Sequence, residues 1–590
     1  MTSAVGGVSG TSRRSLLAGL AAALAGTGGC LSRARAVFGR EEAETVALSV
    51  KTLPVDEDPF AIGIARRLVA WLDAAGIDAS VQPMAAEELF QQTFLNHDFE
   101  LFVAQFPLGM SDPDALYALL HSTYSVEAGR QNPFGYTNLL MDDLLDRQRA
   151  ATGTRRADAV TAIQRQFVGG PPFTVVGFPR RIRAARTDRF TGWNAVFDPS
   201  PTALLSLHRV DESATTLRAT TPDNRPMANL NPLMATYRGV GDVTDLIFDP
   251  LARQYRGQLH PWAAADWAWT GEEPPELDVT IREGLTWHDG EPLTAEDVAL
   301  TYDLLRDTSL GSVSQPVPAT RFRGRSSLVE GVEAVDDLTV RIRFGDCSRA
   351  VARRALTVPL LPAHVWTERT ARASVSGVDV AATATEALVD DAIPPVGSGP
   401  LEFESVSQRQ RLTLSRFGDH FLHDGTETDL PDPLAEGAPF ERFELSFVAS
   451  DSSAVNLLAE GEADVTAEGV GPDLTGRIEA TSDVSAHVTR SDAPYVVGCN
   501  TRRSPLANPR FRRLLARLLD RETLAESVFE GYVEPAVSPL AGTDWLPRDL
   551  AWSPSETAFL GTDGRVDPGA ARAAFRSAGY RYNEQGRLVR

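Results

Sequence analysis

At 590 residues the chain exceeds what one hydrophobic core holds, since single cores stop growing near ~250–300 residues, so at least two structural domains are expected. Its 43% hydrophobic, 23% charged and 8% aromatic residues are those of an ordinary globular protein. A formal charge of −22 argues against a nucleic-acid partner, which needs a basic face.

The basic residues are skewed: Lys51 is the one lysine and the rest are arginine. An acidic, lysine-poor chain fits a salt-loving organism with a GC-rich genome, and codon bias explains the arginines about as well. Ser12-Arg13-Arg14-Ser15-Leu16-Leu17 precedes an uncharged run, Ala18 to Gly29, and then Cys30. This resembles a twin-arginine export signal ending in a lipobox, with Thr27-Gly28-Gly29 as the small residues before the cysteine. The resemblance makes Cys30 the lipidated first residue of a mature protein; an uncleaved N-terminal anchor helix is the alternative. The run is shorter than the ~20 apolar residues a bilayer span needs, and no later segment approaches one. Residues 33–44, charged and small, suit a tether. Cys347 and Cys499 either pair or stay as buried free thiols, and neither has metal-type spacing.

The pattern after the tether is α/β. Val46, Leu48 and Val50 alternate as in a strand, and Ile62, Ala65, Leu68, Val69 and Leu72 fall at helical spacing before Gly76. Ile77, Ala79 and Val81 alternate again, Glu87–Leu95 is helical, and Phe99–Phe106 is an apolar strand. Such strand–helix repeats form a parallel-sheet unit, whose ligands sit beyond the carboxyl ends of the strands. Helices are expected at Leu139–Ala150 and Arg155–Phe167, and a strand at Phe173–Phe178. Residues 208–216 are polar and read as a linker. Leu277–Ile281 is a strand, and Thr294–Arg306 a helix opened by a Thr294/Asp297 capping box. Residues 311–327 and 369–392 look loop-rich. Val396-Gly397-Ser398-Gly399-Pro400 is a turn cluster before another strand, and Pro509–Leu519 and Pro568–Ala578 are helical.

The stretch from Leu277, Leu-Asp-Val-Thr-Ile-Arg-Glu-Gly-Leu-Thr-Trp-His-Asp-Gly-Glu-Pro-Leu-Thr-Ala-Glu-Asp-Val, resembles the signature of the family 5 extracellular solute-binding proteins. These are the dipeptide-, oligopeptide- and nickel-binding components of ABC importers. Val243–Leu251, Trp262–Trp267, Val396–Phe403, Leu457–Val465, Cys499–Leu506, Arg510–Leu524, Gly531–Pro539 and Asp567–Tyr580 resemble further family segments, in family order. The pieces that close an ordinary member stand instead at the front: Val46–Val50, Ile62–Ala75, Gly76–Met84 and Asp112-Pro113-Asp114. A circular permutation accounts for this order, with a fusion of two fragments as its rival. If the order is permuted, Val46–Val50 should lie in the lobe formed by residues near 500–590.

The resemblance implies an α/β fold of the periplasmic-binding-protein type II, two lobes plus an extra family-specific subdomain. The expected divisions are a signal (1–30), a tether (31–44), part of the second lobe (45–185), a return to the first lobe (186–207) and a joining linker (208–216). First lobe (217–258), extra subdomain with the signature (259–395), first lobe (396–490) and the remainder of the second lobe (491–590) follow. It also implies a lipid-anchored monomer on the extracellular face of the cytoplasmic membrane that captures a small solute and delivers it to an ABC permease. A ligand sensor on the same fold, without transport, is the alternative. The solute is peptide-like, an oligosaccharide or a metal chelate.

Closing clefts need apolar walls with a few placed polar groups. The candidates are Gln105, Phe106, Pro107, Leu108 and Gly109 after the 99–106 strand, with Tyr237 and Tyr495 as weaker ones that core packing explains equally well. In peptide-binding relatives an acidic residue three positions before the Asp-Pro holds the peptide's ammonium; Gly109 stands there, so a peptide with a free amino terminus is doubtful. Asp112 and Asp114 read as turn and helix-cap groups. His420, His423 and Asp424 suggest a metal cluster, but a solvated polar loop fits them better. No His-Glu-x-x-His, Gly-x-Ser-x-Gly or P-loop spacing occurs, so no enzyme activity, cofactor or resident metal is expected.

Overall fold

A computed structural model describes residues 44–106, 109, 112–193, 201–235, 243–271, 273–373, 384–423, 428–553 and 559–589. Twelve strands form its main sheet: β1 (Ala47–Thr52), β2 (Asp78–Pro83), β3 (Leu101–Gln105), β4 (Phe173–Arg186), β5 (Thr216–Thr221), β6 (Leu401–Ser407), β7 (Arg411–Arg416), β8 (Arg442–Phe447), β9 (Val465–Thr466), β10 (Val484–Arg490), β11 (Tyr495–Cys499) and β12 (Val533–Pro535). Their order is β6-β7-β8-β5-β9-β4-β11-β3-β1-β2, with β10 and β12 also on β4. A separate four-stranded antiparallel sheet, spanning Ala264–Gly271, Glu276–Ile281, Val329–Ala334 and Thr339–Phe344, carries the signature.

The sheet is two lobes joined on one strand. Residues 173–177 of β4 pair with β11, whereas residues 180–186 pair with β10. The sequence pattern ended this strand at Phe178; it runs on to Arg186 because its partner changes at Pro179, where a missing donor is tolerated. The lobe on the 173–177 side draws on both ends of the chain. β1 pairs parallel with β2 and β3, and β3 pairs antiparallel with β11, Leu101 opposite Cys499. The Val46 amide donates to the Leu588 carbonyl at 2.8 Å, and Thr45 bridges Val589.

Helix α1 (Pro59–Ala74) shows how this lobe is bound together. Asp58 caps its start, accepting from the Ala61 amide at 2.9 Å, with proline at the first position. Its buried stripe, Ile64, Ala65, Leu68, Trp71 and Leu72, packs in one cluster with Leu48 and Val50 of β1 and with Phe511, Leu515, Phe575 and Leu588. Gly76 ends the turn at φ +84°, and a Cβ there would lie 2.4 Å from the Gly586 carbonyl oxygen. The opposite face of the sheet buries a second, phenylalanine-rich cluster against α2 (Leu139–Ala150) and α3 (Gly153–Gly169).

The other lobe and the signature sheet share one apolar cluster, from Ala185 through Trp262, Trp287 and Trp366 to Val465. Residues 208–216, expected as a linker, begin with a two-residue strand on Phe190–Thr191 and include the fully buried Ala214. Among the described residues no helix is long and apolar enough to cross a membrane. Residues 1–43, and with them Cys30, lie outside the described residues.

Candidate functional site

The parallel strands of the two lobes aim their carboxyl ends at the same stretch of β4. In one lobe β3 ends at Gln105, opposite Tyr495, which is itself opposite Gly177. In the other, β9 ends at Thr466, and the Ala467 carbonyl that follows accepts from Arg183 Nε at 3.1 Å. The chain crosses between the lobes here, along residues 177–183 and 490–495. Loops after β1 (53–58), β5 (222–225) and β9 (467–469), with Gln105 at the end of β3, therefore converge on one site between the lobes, where open α/β sheets place their ligands.

Its polar groups come from both lobes. Gln105 Nε2 donates to the Ala493 carbonyl (2.9 Å) and to Ser491 Oγ (3.1 Å), while its Oε1 accepts from Arg181 Nη2 (3.2 Å). Arg181 also stands 3.8 Å from Glu468. Arg225 holds Asp223 at 2.7 Å and feels Glu468 and, from the other lobe, Glu57. Burial and Glu87 push the Glu57 carboxyl above its ordinary value, against the pull of Arg225. Asp58 sits on the same loop. Burial raises it to about 6, although the Ala61 amide and Tyr495 hydroxyl stabilise its anion.

The expected site residues separate. Gln105 is at the crossing, and Gly109 is half-buried on the loop beyond it. Phe106 is not a cleft wall: it is fully buried, stacked 6.0 Å from Phe173 and 6.1 Å from Phe134. Alternation at a strand end puts its side chain on the face that α2 and α3 cover. Tyr495 is buried and donates its hydroxyl to Asp58 at 3.0 Å, with Phe529 packed edge-on at 5.2 Å. Pro107, Leu108 and Tyr237 lie outside the described residues. Sequence reading missed Arg181, Arg225 and Glu468, whose positions carry no spacing to notice.

Two further expectations need correcting. Asp112 is a turn group, accepting from the Asp114 amide at 2.8 Å, but Asp114 makes no cap bond. It is fully buried and ion-paired to Arg149 (2.8 Å) and Arg354 (2.6 Å). His420 is not in a solvated loop: it is buried against Asp249 at 2.9 Å, and Asp249 also accepts from Arg253 Nη2 (2.9 Å) and Trp262 Nε1 (2.7 Å). Asp424 lies outside the described residues, and among these no group of three or more His, Cys, Asp or Glu side chains is arranged to hold a metal. Cys347 and Cys499 are buried free thiols.

The signature itself is scaffold. The His288 amide donates to the Gly397 carbonyl (2.8 Å), and the Gly397 amide donates to His288 Nδ1 (3.3 Å). That leaves Nε2 to donate to the Gly399 carbonyl at 3.0 Å, the neutral tautomer. Burial holds His288 at about 4, so it stays neutral at pH 7. Both glycines are sterically required: a Cβ on Gly397 would lie 1.9 Å from the Ile247 oxygen, and one on Gly399 2.3 Å from that of Leu246.

A sequence model of the bacterial extracellular solute-binding proteins, family 5 (middle portion), matches residues 258–589. A Brucella ovis protein named as an ABC transporter peptide-binding protein is 27% identical over 328 residues, 55% of this chain and 54% of its own. A binding protein of Brucella melitensis is 24% identical over 266 residues, 43% of this chain and 38% of its own. The chain thus spans about half the length of the first of these relatives. Among solved structures, the oligopeptide-binding protein AppA of Bacillus subtilis with a nonapeptide is 18% identical, TM-score 0.43, over 64% of this chain and 66% of that one. Campylobacter jejuni NikZ with Ni(L-His) is 16% identical, TM-score 0.42, over 64% and 65%.

Proposed function

Because the chain belongs to family 5 of the bacterial extracellular solute-binding proteins, we propose that it captures a small solute between its two lobes and hands it to an ABC permease. The observation that carries this is a convergence: loops from both lobes meet at the two crossing segments, and Arg225 of one lobe faces Glu57 of the other. Closure around a solute joins these half-sites, and only a solute that contacts both favours the closed arrangement. Gln105 and Gly109 belong to the lining, and Tyr495 acts through Asp58. The solute is a peptide, an oligosaccharide or a metal chelate, and Gly109 disfavours a peptide held by its free amino terminus.

The proposal includes attachment to the outer face of the cytoplasmic membrane through a lipid on Cys30, as a monomer, with no turnover of the solute. It also includes a permuted order, in which the family's closing elements lead the chain. The support is the shared sheet: β3 lies on β11, and Val46 reaches Leu588. A fusion of two fragments would place those elements in separate globules.

Mass spectrometry of small molecules released from natively purified protein tests the reading. One solute class, recovered unaltered and rebound at one per chain, is the expected result. Chemical conversion of that solute during incubation would sink the non-enzymatic reading.

A further inference from the structure

Away from the two crossing segments and the cleft, the lobes meet again through the signature subdomain, and ion pairs run across that contact, with Arg323 also over the Tyr124 ring at 5.2 Å. The segment after β3 carries Asp114, whose carboxylate is gripped on its own lobe by Arg149 (2.8 and 3.1 Å) and Gln148 (2.9 Å). Its remaining partner is Arg354, from the signature subdomain, at 2.6 Å. Glu127 repeats the arrangement. It accepts from Gln131 of its own lobe at 3.2 Å and from Arg323 of the subdomain at 2.9 and 3.1 Å. A backbone bond also crosses the contact, the Ser348 amide donating to the Arg149 carbonyl at 2.8 Å.

Three features make this a contact built to break and reform. Among the described residues, the apolar cluster of the first lobe and subdomain shares no side chain with the two clusters of the second lobe. Separation there exposes no common hydrophobic core. Each carboxylate also keeps a partner of its own lobe when the subdomain leaves, so opening avoids the large penalty of an orphaned buried charge. The subdomain face carries several cations: Arg325 is pushed down to about 10 by burial, then by Arg354, against the pull of Asp245, with Arg321 adding to the lowering. Asp114 and Glu127 bring carboxylates to Arg354 and Arg323 across the contact, so the electrostatics favour closure.

We propose that Arg354, supported by Arg323, is the latch of the closed arrangement and a positioning residue for the cleft. The loop that leaves β3 is thereby tied at both ends, by Gln105 at the crossing and by Asp114 at the latch. Arg354 also stands 3.6 Å from Asp112, two residues before Asp114 on the same segment. This rests on the two-lobed closing mechanism and goes beyond it, assigning the closed state to a specific ion pair outside the cleft.

Hydrogen exchange at the Ser348 amide of the full chain tests the assignment, because the bond that protects that amide runs across the contact. Without any added solute, Arg354→Gln should speed its exchange about tenfold, the loss of one charge-assisted bond at a partly exposed site. Amides of β1, β3, β5 and β8 should be unchanged. Arg354→Lys should restore most of the protection. Raising the NaCl concentration from physiological to molar should speed Ser348 exchange in the unaltered protein, with a smaller response in Arg354→Gln. If the variant folds poorly, the salt series on the unaltered protein decides alone, and indifference to salt overturns the latch. Sub-global exchange at Ser348 that ignores both Arg354 and salt also overturns the latch and leaves the closing mechanism standing. Exchange at Ser348 only through global unfolding, under every condition, overturns both.

Discussion

The two lobes solve the same packing problem with different stretches of chain. The first lobe and the signature subdomain share one large apolar cluster, drawn from residues 185–465, and the first lobe adds a small one from residues 182–478. The second lobe buries two clusters on opposite faces of its sheet and takes them from residues 46–178 and 495–588. One body completes its core from one continuous stretch, whereas the other needs both ends of the chain. The second lobe should therefore respond to damage at either end as one unit, and the first should not notice it.

The largest expected effect strikes the first lobe alone. Asp249→Ala strands Arg253 and His420 and should cost about 4 kcal/mol, as removal of one partner of a buried ion pair does. Calorimetry should show one transition falling while the other holds. Next, Leu101→Ala and Leu515→Ala, both fully buried in one second-lobe cluster, should each cost about 3 kcal/mol. Denaturant melts should show both lowering the same transition, although they stand far apart in the sequence. Separate transitions for the two would mean that the second lobe is not one unit.

Asp58→Asn probes the cleft edge of the second lobe with a smaller effect. The folded carboxyl, raised to about 6, lies above its ordinary value of 3.8. Its protonated form is therefore favoured by folding, and that contribution is fully present below pH 3.8 and lost as pH rises through about 6. Asparagine still caps α1 and still accepts from Tyr495, so the variant should gain about 1–2 kcal/mol relative to the parent at pH ~8, discounted for partial exposure. The gain should vanish by about pH 4; melts across that range check it. The smallest effect is a control: Arg411→Gln removes an exposed arginine's pair with the half-buried Glu444 and should change stability by less than about 1 kcal/mol.

Much of this was legible in the sequence where a local period or a residue-specific motif carried the signal. Val46, Leu48 and Val50 alternate, and β1 forms there; the Thr294/Asp297 start holds, with the Asp297 carboxylate accepting from the Thr294 amide at 2.8 Å. The signature's Trp287 and His288 proved structural. What escaped was set by tertiary partners. β4 continues past Pro179 because β12 and β10 lie alongside it. Asp114 is an ionic anchor because Arg149 and Arg354 reach it from distant segments. Phe106 turned inward, since an apolar residue at a strand end faces either core or cleft and the pattern does not choose. Arg181 and Arg225 carry no spacing signal, and only the meeting of the two lobes gives them a place.

The central claim is that both lobes contribute to one solute site. Hydrogen exchange of the full chain, with and without the solute recovered from native protein, tests it most directly. If both lobes line the site, residues 105–109 of one and residues 221–225 and 467–469 of the other become protected together on saturation. Protection confined to one lobe, with the other unaffected at saturating solute, would contradict the shared site.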